Sequence, residues 1–298
     1  MKNGHIKHVS DTALWAASFR APEGRRPDAA FDDPLASILV GDRGLAIARA
    51  MPRAPMVDWG MVIRTSAIDH LINDALSAGV DTVVNLGAGL DTRPYRMDLP
   101  ATLRWVEVDF PSIVALKDSL IEQPPVCRLE RIGVDLLDRP ARSKLLARYA
   151  ADSQNTLFIT EGVIPYFSVH DAAVLAGDLH AASASRFWIQ DFDNAGKRRL
   201  PRGWETKLKA APFLFEVKDW FGFFEKYGWR PARVTTNLEE SRRINRPYPL
   251  DFPFGLILRA LPRAARDRIL SLSGAVLMQR VKPAHGRAET DPGQALQG

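Results

Sequence analysis

The sequence predicts an α/β fold built on a doubly wound sheet of seven strands. Three observations support this: apolar runs alternate with helical segments, turn signals flank the runs, and a glycine turn follows the first run. Several runs are apolar throughout, as expected for strands that are buried on both faces. The predicted strands cover residues 82–86, 103–109, 129–134, 156–160, 187–191, 230–235 and 275–281. A helix predicted over 64–78 precedes the first strand, carries an apolar stripe and ends at Gly79.

The chain of 298 residues is long enough for one large domain with an added cap. Residues 1–60 mix short apolar runs with turn signals and are predicted to form an N-terminal helical cap or lid. Residues 61–282 are predicted to form the main domain, and the polar tail 283–298 is predicted to be disordered. Because Cys127 is the only cysteine, an intramolecular disulfide and a cysteine-based zinc cluster are both excluded, and no metal is expected.

The charge of the chain is +5, from 40 basic and 35 acidic residues that are spread along its length. The densest basic run, 197–202, is interpreted as a solvated loop, so a nucleic-acid partner is not expected. The chain has no signal-like N-terminus and no apolar run long enough to span a membrane. We therefore expect a cytoplasmic protein with no membrane partner, while the oligomeric state stays open.

The glycine turn after the first predicted strand is the most informative segment. Gly87, Ala88 and Gly89 lie where open α/β sheets bind ligands, and glycine allows close approach to the backbone. A dinucleotide motif would have a third glycine where this chain has Thr92. Asp91 would also place a negative charge where a pyrophosphate docks. Both residues disfavour NAD and favour a ligand without phosphates, whose amino-acid end is zwitterionic.

Acidic residues end the second and third predicted strands. Asp109 follows Gly89 by twenty residues, and a carboxylate there can accept hydrogen bonds from both ribose hydroxyls. Glu107 points to the same side of the strand and is a second candidate. Asp135 could accept a hydrogen bond from an adenine amino group while Leu136 packs on the ring. The alternative for Asp135, that it caps a helix N-terminus, stays open.

Two further charged residues are placed unusually. Glu161 follows the fourth predicted strand, where a carboxylate needs a partner or water, and a cationic ammonium or sulfonium group would serve. Arg64 lies on the same helix face as the apolar stripe, where its fork of donors matches a carboxylate. Arg64 could instead extend its charged end to solvent at the helix start.

With these residues in place, the sequence resembles the leucine carboxyl methyltransferase family, and in particular a bacterial branch that includes the tetracenomycin-type polyketide O-methyltransferases. The likeness covers roughly residues 10–195 and depends on the order and spacing of several segments. Those segments are 12–15, 26–34, 62–65, 84–96, 105–111, 133–136 and 160–163.

The resemblance implies a Rossmann-like, seven-stranded methyltransferase sheet with an N-terminal helical cap, and S-adenosyl-L-methionine as the cofactor. It implies that Arg64 binds the methionyl carboxylate, Glu161 faces the methionyl amino group, and the glycine turn lies under the cofactor. Asp109 would hold the ribose, and Asp135 with Leu136 would hold the adenine. The cofactor-binding residues predicted in this way are Arg64, Gly87, Ala88, Gly89, Asp109, Phe110, Asp135, Leu136 and Glu161.

The activity implied is O-methylation of a small molecule, with a carboxylate or phenol of a polyketide-like or other secondary metabolite as acceptor. The run 164–167 keeps a tyrosine that is typical of the family but inserts a proline, and Tyr166 is a candidate for orienting the substrate. His70, His170 and His180 are interpreted as surface or structural residues, so no catalytic base is named. The lack of a base favours a carboxylate acceptor, because a carboxylate is ionised at neutral pH.

Several alternatives stay open. These are carboxyl methylation of a protein or peptide C-terminus, an RNA methyltransferase, an NAD-dependent oxidoreductase and a noncatalytic protein with a cofactor fold. Aromatic residues between 193 and 253 are expected to help shape the acceptor pocket, although most of them fit a core equally well. The examples are Trp204, Phe213, Phe215 and Trp220.

Overall fold

The computed structural model describes residues 6–51, 55–182, 184–194, 207–249 and 253–282 of the chain. The predicted tail 283–298, the basic run 197–202 and Trp204 lie outside these ranges. Within the described ranges, none of the helices is both long enough and apolar enough to cross a lipid bilayer.

The N-terminal region is helical. Helix α1 (Asp11–Arg20) and helix α2 (Pro34–Ala50) are joined through a short 3-10 turn, Glu23–Arg25. The side chain of Asp33 accepts a hydrogen bond from the backbone N–H of Ala36, which caps the start of α2. The two helices share one apolar cluster with residues of the main domain, so the region is packed onto the sheet domain rather than separate from it.

Helix α3 (Pro55–Ser77) precedes the first strand and is longer than the predicted helix 64–78. Its buried residues continue toward the N-terminus through Ile63, Val62 and Trp59. Trp59 and Ile63 pack against Leu270 near the C-terminal end of the fold, so their burial depends on a contact distant in sequence. Helix α3 also runs without a break across residues 60 and 61. The division of the chain into a cap and a main domain at this point stays a prediction.

The sheet has seven strands in the order β3-β2-β1-β4-β5-β7-β6, which confirms the predicted fold class. The strands are β1 (Thr82–Leu86), β2 (Arg104–Asp109), β3 (Arg128–Gly133), β4 (Thr156–Thr160), β5 (Ser185–Asp193), β6 (Trp229–Thr236) and β7 (Ser273–Arg280). Strands β1 to β5 pair in parallel, whereas β7 is antiparallel to both β5 and β6. Pro231 lies on the edge strand β6 beside a register shift, where its missing N–H breaks no central ladder.

The described ranges contain eight further helices. They are α4 (Arg93–Arg96), α5 (Pro111–Leu120), α6 (Arg139–Ala151), α7 (Val169–Ala181), α8 (Trp220–Glu225), α9 (Asn237–Arg243), α10 (Pro253–Ala260) and α11 (Arg263–Leu270). Two large apolar clusters, one on each face, bury the central strands β1 and β4 completely. The chain order reverses between β1 and β4, and this switch point is where open α/β sheets bind ligands.

Candidate functional site

A cavity of about 590 Å³ lies at the carboxyl ends of the parallel strands. Helices α1 and α3 form part of its wall, and the loops after β1 to β5 form its floor. The structure brings all ten of the predicted site residues to this one cavity, although their roles stay predictions. They are Arg64, Gly87, Ala88, Gly89, Asp109, Phe110, Asp135, Leu136, Glu161 and Tyr166.

The glycine turn is crowded by the protein itself. Gly87 and Gly89 adopt φ values of 70° and 50°, in the left-handed region that favours glycine. A β-carbon at Gly87 would collide with the side chain of Val163, and one at Gly89 would lie 3.1 Å from Cβ of Ala13 in α1. The sequence predicts only that these glycines allow a ligand to approach the backbone. The structure shows that they also let the loop after β4 and the cap close against the turn.

Asp109 and Glu107 lie on the same side of β2 but have different surroundings. The two carboxylate oxygens of Asp109 accept hydrogen bonds from the backbone N–H groups of Gly89 and Phe110, each at 2.7 Å. Burial raises the pKa of Asp109, and those two N–H donors offset part of the effect. Each oxygen keeps a lone pair for a further donor, which fits the two hydroxyls of a ribose.

Glu107 is 2% exposed and does not line the cavity. Its Oε2 lies 2.6 Å from Nζ of Lys117 and 3.0 Å from Nε of Arg131. Burial raises the pKa of Glu107, while the nearby cations act against that shift. The geometry therefore favours Asp109 over Glu107, the second candidate, as the carboxylate available to a ligand.

Asp135 and Leu136 form the wall of the cavity beyond β3. Asp135 is exposed, and its Oδ1 accepts a hydrogen bond from the backbone N–H of Leu137 at 2.9 Å. The alternative that Asp135 caps a helix is wrong, because Asp138 caps α6 by accepting from Ala141. Asp135 is thus left facing the cavity beside the buried Leu136.

Arg64 of α3 and Glu161 of the loop after β4 lie together where the wall of the cavity meets its floor. Nε of Arg64 donates to Oε1 of Glu161 at 3.0 Å, and Nη1 of Arg64 lies 3.4 Å from Oδ2 of Asp191. The alternative that Arg64 reaches out to solvent is wrong, since its side chain is 21% exposed and paired with these two carboxylates. Asp191 also accepts a hydrogen bond from the backbone N–H of Gly162 at 2.7 Å, which ties the ends of β4 and β5 together.

Asp191 and Arg93 also line the cavity, although neither is among the residues predicted from the sequence. Asp191 ends the fifth predicted strand beside the strand of Glu161, and its position at the same sheet edge was a usable signal. Arg93 follows the glycine turn, and its Nη1 lies 2.8 Å from carboxylate oxygens of both Asp91 and Glu161. Asp91 therefore already has a cation within the protein, so its charge does not stand alone at the turn.

The side of the cavity beyond Glu161 is mainly aromatic and apolar. Tyr166 and Phe213 pack with ring centroids 5.2 Å apart, and Trp15 and Phe167 complete this part of the wall. The inserted proline, by which this chain departs from the family pattern, lies in a 3-10 turn formed by Ile164–Tyr166. Its proline carbonyl accepts a hydrogen bond from Leu214 N at 2.8 Å. Of the aromatic residues proposed for the acceptor pocket, Phe213 lines the cavity, whereas Phe215 and Trp220 belong to the core.

Among the residues that the structure describes, no histidine, lysine or cysteine lines the cavity. His170 and His180 lie on α7, and Nε2 of His180 is 2.8 Å from the carbonyl oxygen of Val281. His70 lies on α3, 4.0 Å from a carboxylate oxygen of Asp74. In the same described ranges, no three His, Cys, Asp or Glu side chains are grouped as a metal site requires.

These features define an α/β protein with a ligand cavity at the switch point of its sheet. Residues 13–178 match the model of the family described as leucine carboxyl methyltransferase. The chain belongs to this family, and the family and the cofactor, S-adenosyl-L-methionine, that were inferred from the resemblance are confirmed.

Relatives of the chain carry names that agree with this family and cofactor. A protein of Parafrankia sp. (strain EAN1pec), named "putative S-adenosyl-L-methionine-dependent methyltransferase", is 32% identical over 267 residues, covering 82% of this chain and 84% of the relative. A relative of the same description from Frankia alni is 37% identical over 238 residues, which cover 75% of this chain and 83% of that protein. The chain is thus similar to these relatives over most of their length.

Solved structures share the fold at low sequence identity. A DUF574 family protein from Streptomyces avermitilis superposes with a TM-score of 0.52 at 15% identity, covering 89% of this chain and 96% of that one. A protein of Thermobifida fusca, described as a putative methyltransferase, gives a TM-score of 0.52 at 12% identity, covering 94% and 96% of the two chains. At these identities the likeness concerns the fold alone.

Proposed function

We propose that this methyltransferase transfers the methyl group to an oxygen of a small molecule, and that the acceptor is a carboxylate or a phenol. The observation that carries the proposal is the aromatic side of the cavity, where the described lining includes no histidine, lysine or cysteine. An acceptor that is already ionised at neutral pH needs no general base, and carboxylates meet this condition. The first class to test is therefore an aromatic carboxylic acid.

The residues of the cavity fit the cofactor by their chemistry. The carboxylate of Asp109 keeps acceptor capacity for ribose hydroxyls, and Asp135 with Leu136 offers an acceptor beside an apolar surface for adenine. Arg64 and Glu161 provide opposite charges for the zwitterionic methionyl end. When bound, S-adenosyl-L-methionine supplies a methyl group on a positively charged sulfur.

The protein itself would contribute alignment and exclusion of water. The acceptor oxygen would receive the methyl group, and the electron pair of the carbon–sulfur bond would stay on the cofactor's sulfur. Tyr166 and Phe213 would hold the acceptor ring on the aromatic side of the cavity. Trp15 of α1 lines the same cavity, so the N-terminal region supports a small acceptor.

A second candidate is methylation of a C-terminal carboxylate of a protein or peptide. The specific observation in its favour is the family description, which names a leucine carboxyl group. It uses the same chemistry on a larger acceptor, so the two candidates differ in acceptor size and not in mechanism.

The test is a transfer assay with S-adenosyl-L-methionine that carries tritium in its methyl group. Three acceptor sets are compared: aromatic carboxylic acids, phenols, and peptides that end in a free leucine carboxylate. Mild alkali releases volatile methanol from methyl esters but leaves methyl ethers intact, so the product bond is identified directly. For a carboxylate acceptor, kcat/KM should stay flat between about pH 6 and 9. For a phenol acceptor, kcat/KM should rise with pH toward the pKa of the phenol, about 10.

Labelling of the small carboxylic acids or phenols supports the proposal. Labelling of the peptides alone supports the second candidate. A wild type that binds the cofactor but labels none of the three sets contradicts both candidates. Asp109→Asn serves as the control protein, because its weaker cofactor binding should lower turnover with every acceptor alike when the cofactor is below saturation.

A further inference from the structure

Arg93 lines the cavity beside the glycine turn and pairs with three carboxylates. Its Nε donates to Oδ1 of Asp69 on α3 at 2.6 Å, and its backbone N–H donates to Oδ1 of Asp91 at 2.9 Å. Its Nη1 lies 2.8 Å from Oδ2 of Asp91 and 2.8 Å from Oε2 of Glu161. One guanidinium therefore joins α3, the glycine turn and the loop after β4.

The two arginines that contact Glu161 differ in their freedom to move. The side chain of Arg93 is 3% exposed and is paired with three carboxylates, whereas that of Arg64 is 21% exposed and forms part of the cavity wall. Each arginine takes one oxygen of Glu161, with Arg64 on Oε1 and Arg93 on Oε2. If Arg64 turns toward a ligand carboxylate, Arg93 still holds the other oxygen of Glu161.

We propose that Arg93 is a positioning residue for cofactor binding. It holds Glu161 in one orientation and in its ionised form, so that the carboxylate can pair with the amino group of the methionyl moiety. Arg93 acts through Glu161 and needs no contact of its own with the cofactor. The proposal rests on the proposed function for the identity of the ligand.

The charges that face Glu161 agree with this role. Burial by itself would raise the pKa of Glu161, but Arg93 and then Arg64 hold it below its ordinary value. The carboxylate of Asp91 acts in the opposite direction, and Arg20 of α1 adds a further cation. The other charged or titratable groups around this point are Asp191 of β5 and Tyr166, both of which interact with Arg64.

The experiment measures the Kd of S-adenosylhomocysteine by calorimetry between pH 5 and 8, in wild type, Arg93→Gln and Glu161→Gln. S-adenosylhomocysteine retains the amino and carboxylate groups and needs no methyl acceptor. In wild type, Kd should change little over this range. In Arg93→Gln it should be at least about tenfold weaker at pH 7, and weaker again toward pH 5 as Glu161 takes up a proton.

The matched control is Arg96→Gln. Arg96 pairs with Asp69 through two hydrogen bonds of 2.7 and 2.9 Å, but it makes no hydrogen bond or ion pair with Glu161 in the described structure. This change should lower Tm about as much as Arg93→Gln does, yet leave the ratio of Kd at pH 5 to Kd at pH 7 at the wild-type value. The same pH profile in both arginine variants would mean that Arg93 has only a structural role.

A double variant adds a second criterion. When Glu161 is already Gln, replacing Arg93 should change Kd by less than about threefold, because the residue through which Arg93 acts is gone. Full additivity of the two changes overturns the proposal.

If Arg93→Gln does not fold, the pKa of Glu161 is measured by carboxyl NMR in Arg64→Gln. There Arg93 is the remaining cation in direct contact with Glu161 among the described residues, so the pKa should stay below the ordinary value of about 4.3. A value above it overturns the proposal. Binding of S-adenosylhomocysteine without methylation of any acceptor contradicts only the proposed function, whereas an unchanged pH profile in Arg93→Gln contradicts only the role of Arg93.

Discussion

Two acidic residues on one strand, the buried Glu107 and the half-buried Asp109, show how differently the protein uses neighbouring carboxylates. Both point to the same side of β2, and burial raises the pKa of both. Glu107 is neutralised by Lys117 and Arg131, away from the cavity. Asp109 receives two backbone N–H groups and faces the cavity. Burial of a carboxylate therefore does not by itself mark a ligand site; the nature and direction of its partners do.

The region around Glu107 also supports the site from behind. Lys117 on α5 donates both to Glu107 and to the backbone carbonyl of Asp91, at 2.6 and 2.7 Å. Arg131 on β3 also forms an ion pair with Asp118, with Nη1 of Arg131 lying 2.5 Å from Oδ1 of Asp118. This closed cluster joins β2, β3, α5 and the glycine turn. We expect it to contribute to folding stability, whereas the open carboxylates contribute to affinity.

The largest expected effect is that of Glu107→Gln on stability. The change leaves the ammonium group of Lys117 buried without its counter-charge, which should cost about 3–5 kcal/mol of the free energy of unfolding. The measurement is urea unfolding at pH 7. Affinity for S-adenosylhomocysteine, measured on the folded protein, should stay within about twofold of wild type. A large loss of affinity would show that Glu107 contacts the ligand after all.

The second-largest effect is expected for Asp109→Asn, which should lower affinity and leave stability nearly unchanged, the reverse of Glu107→Gln. Loss of a charged acceptor for the ribose hydroxyls should weaken binding of S-adenosylhomocysteine by about 1.5–3 kcal/mol, or roughly 10- to 150-fold. Stability should change by less than about 1 kcal/mol, because the half-buried Asp109 forms no ion pair within 4.0 Å among the described residues and is held by two backbone N–H groups instead. Calorimetric titration with NAD as a control ligand and urea unfolding measure the two quantities. If both variants lost stability equally and kept affinity, the distinction drawn between the two acids would fail.

The smallest of the three effects concerns Asp135, which faces the cavity but is exposed. Asp135→Asn should weaken binding of S-adenosylhomocysteine by about 0.5–1.5 kcal/mol, roughly 2- to 12-fold, because solvent already screens this carboxylate. A matched ligand sharpens the test: S-inosylhomocysteine carries a carbonyl where adenine has its amino group. Wild type should prefer the adenine compound, and Asp135→Asn should reduce that preference. An unchanged preference would remove Asp135 from the adenine site.

Part of the cavity lining could be predicted from the sequence, because the signals that identify those residues are local. A glycine turn after a strand, and acids where strands end, must meet at one edge of a parallel sheet whatever the rest of the chain does. This is why the sequence alone predicts that Gly87, Asp109, Asp135 and Glu161 lie at one site, without any knowledge of their neighbours in the fold. Seven strands and a helical N-terminal region followed from the same local patterns together with the resemblance.

Tertiary structure alone decided which charged groups meet. Asp69 and Glu161 lie 24 and 68 positions from Arg93 in the chain, and no local pattern announces either contact. The choice between Glu107 and Asp109 depended on the packing of α5, which carries Lys117 behind β2. The insertion of β7 antiparallel between β5 and β6 was likewise invisible, because an apolar strand reads the same in either direction. A sequence specifies the donors and acceptors that a chain contains, whereas their pairing depends on distances of a few ångströms that only packing sets.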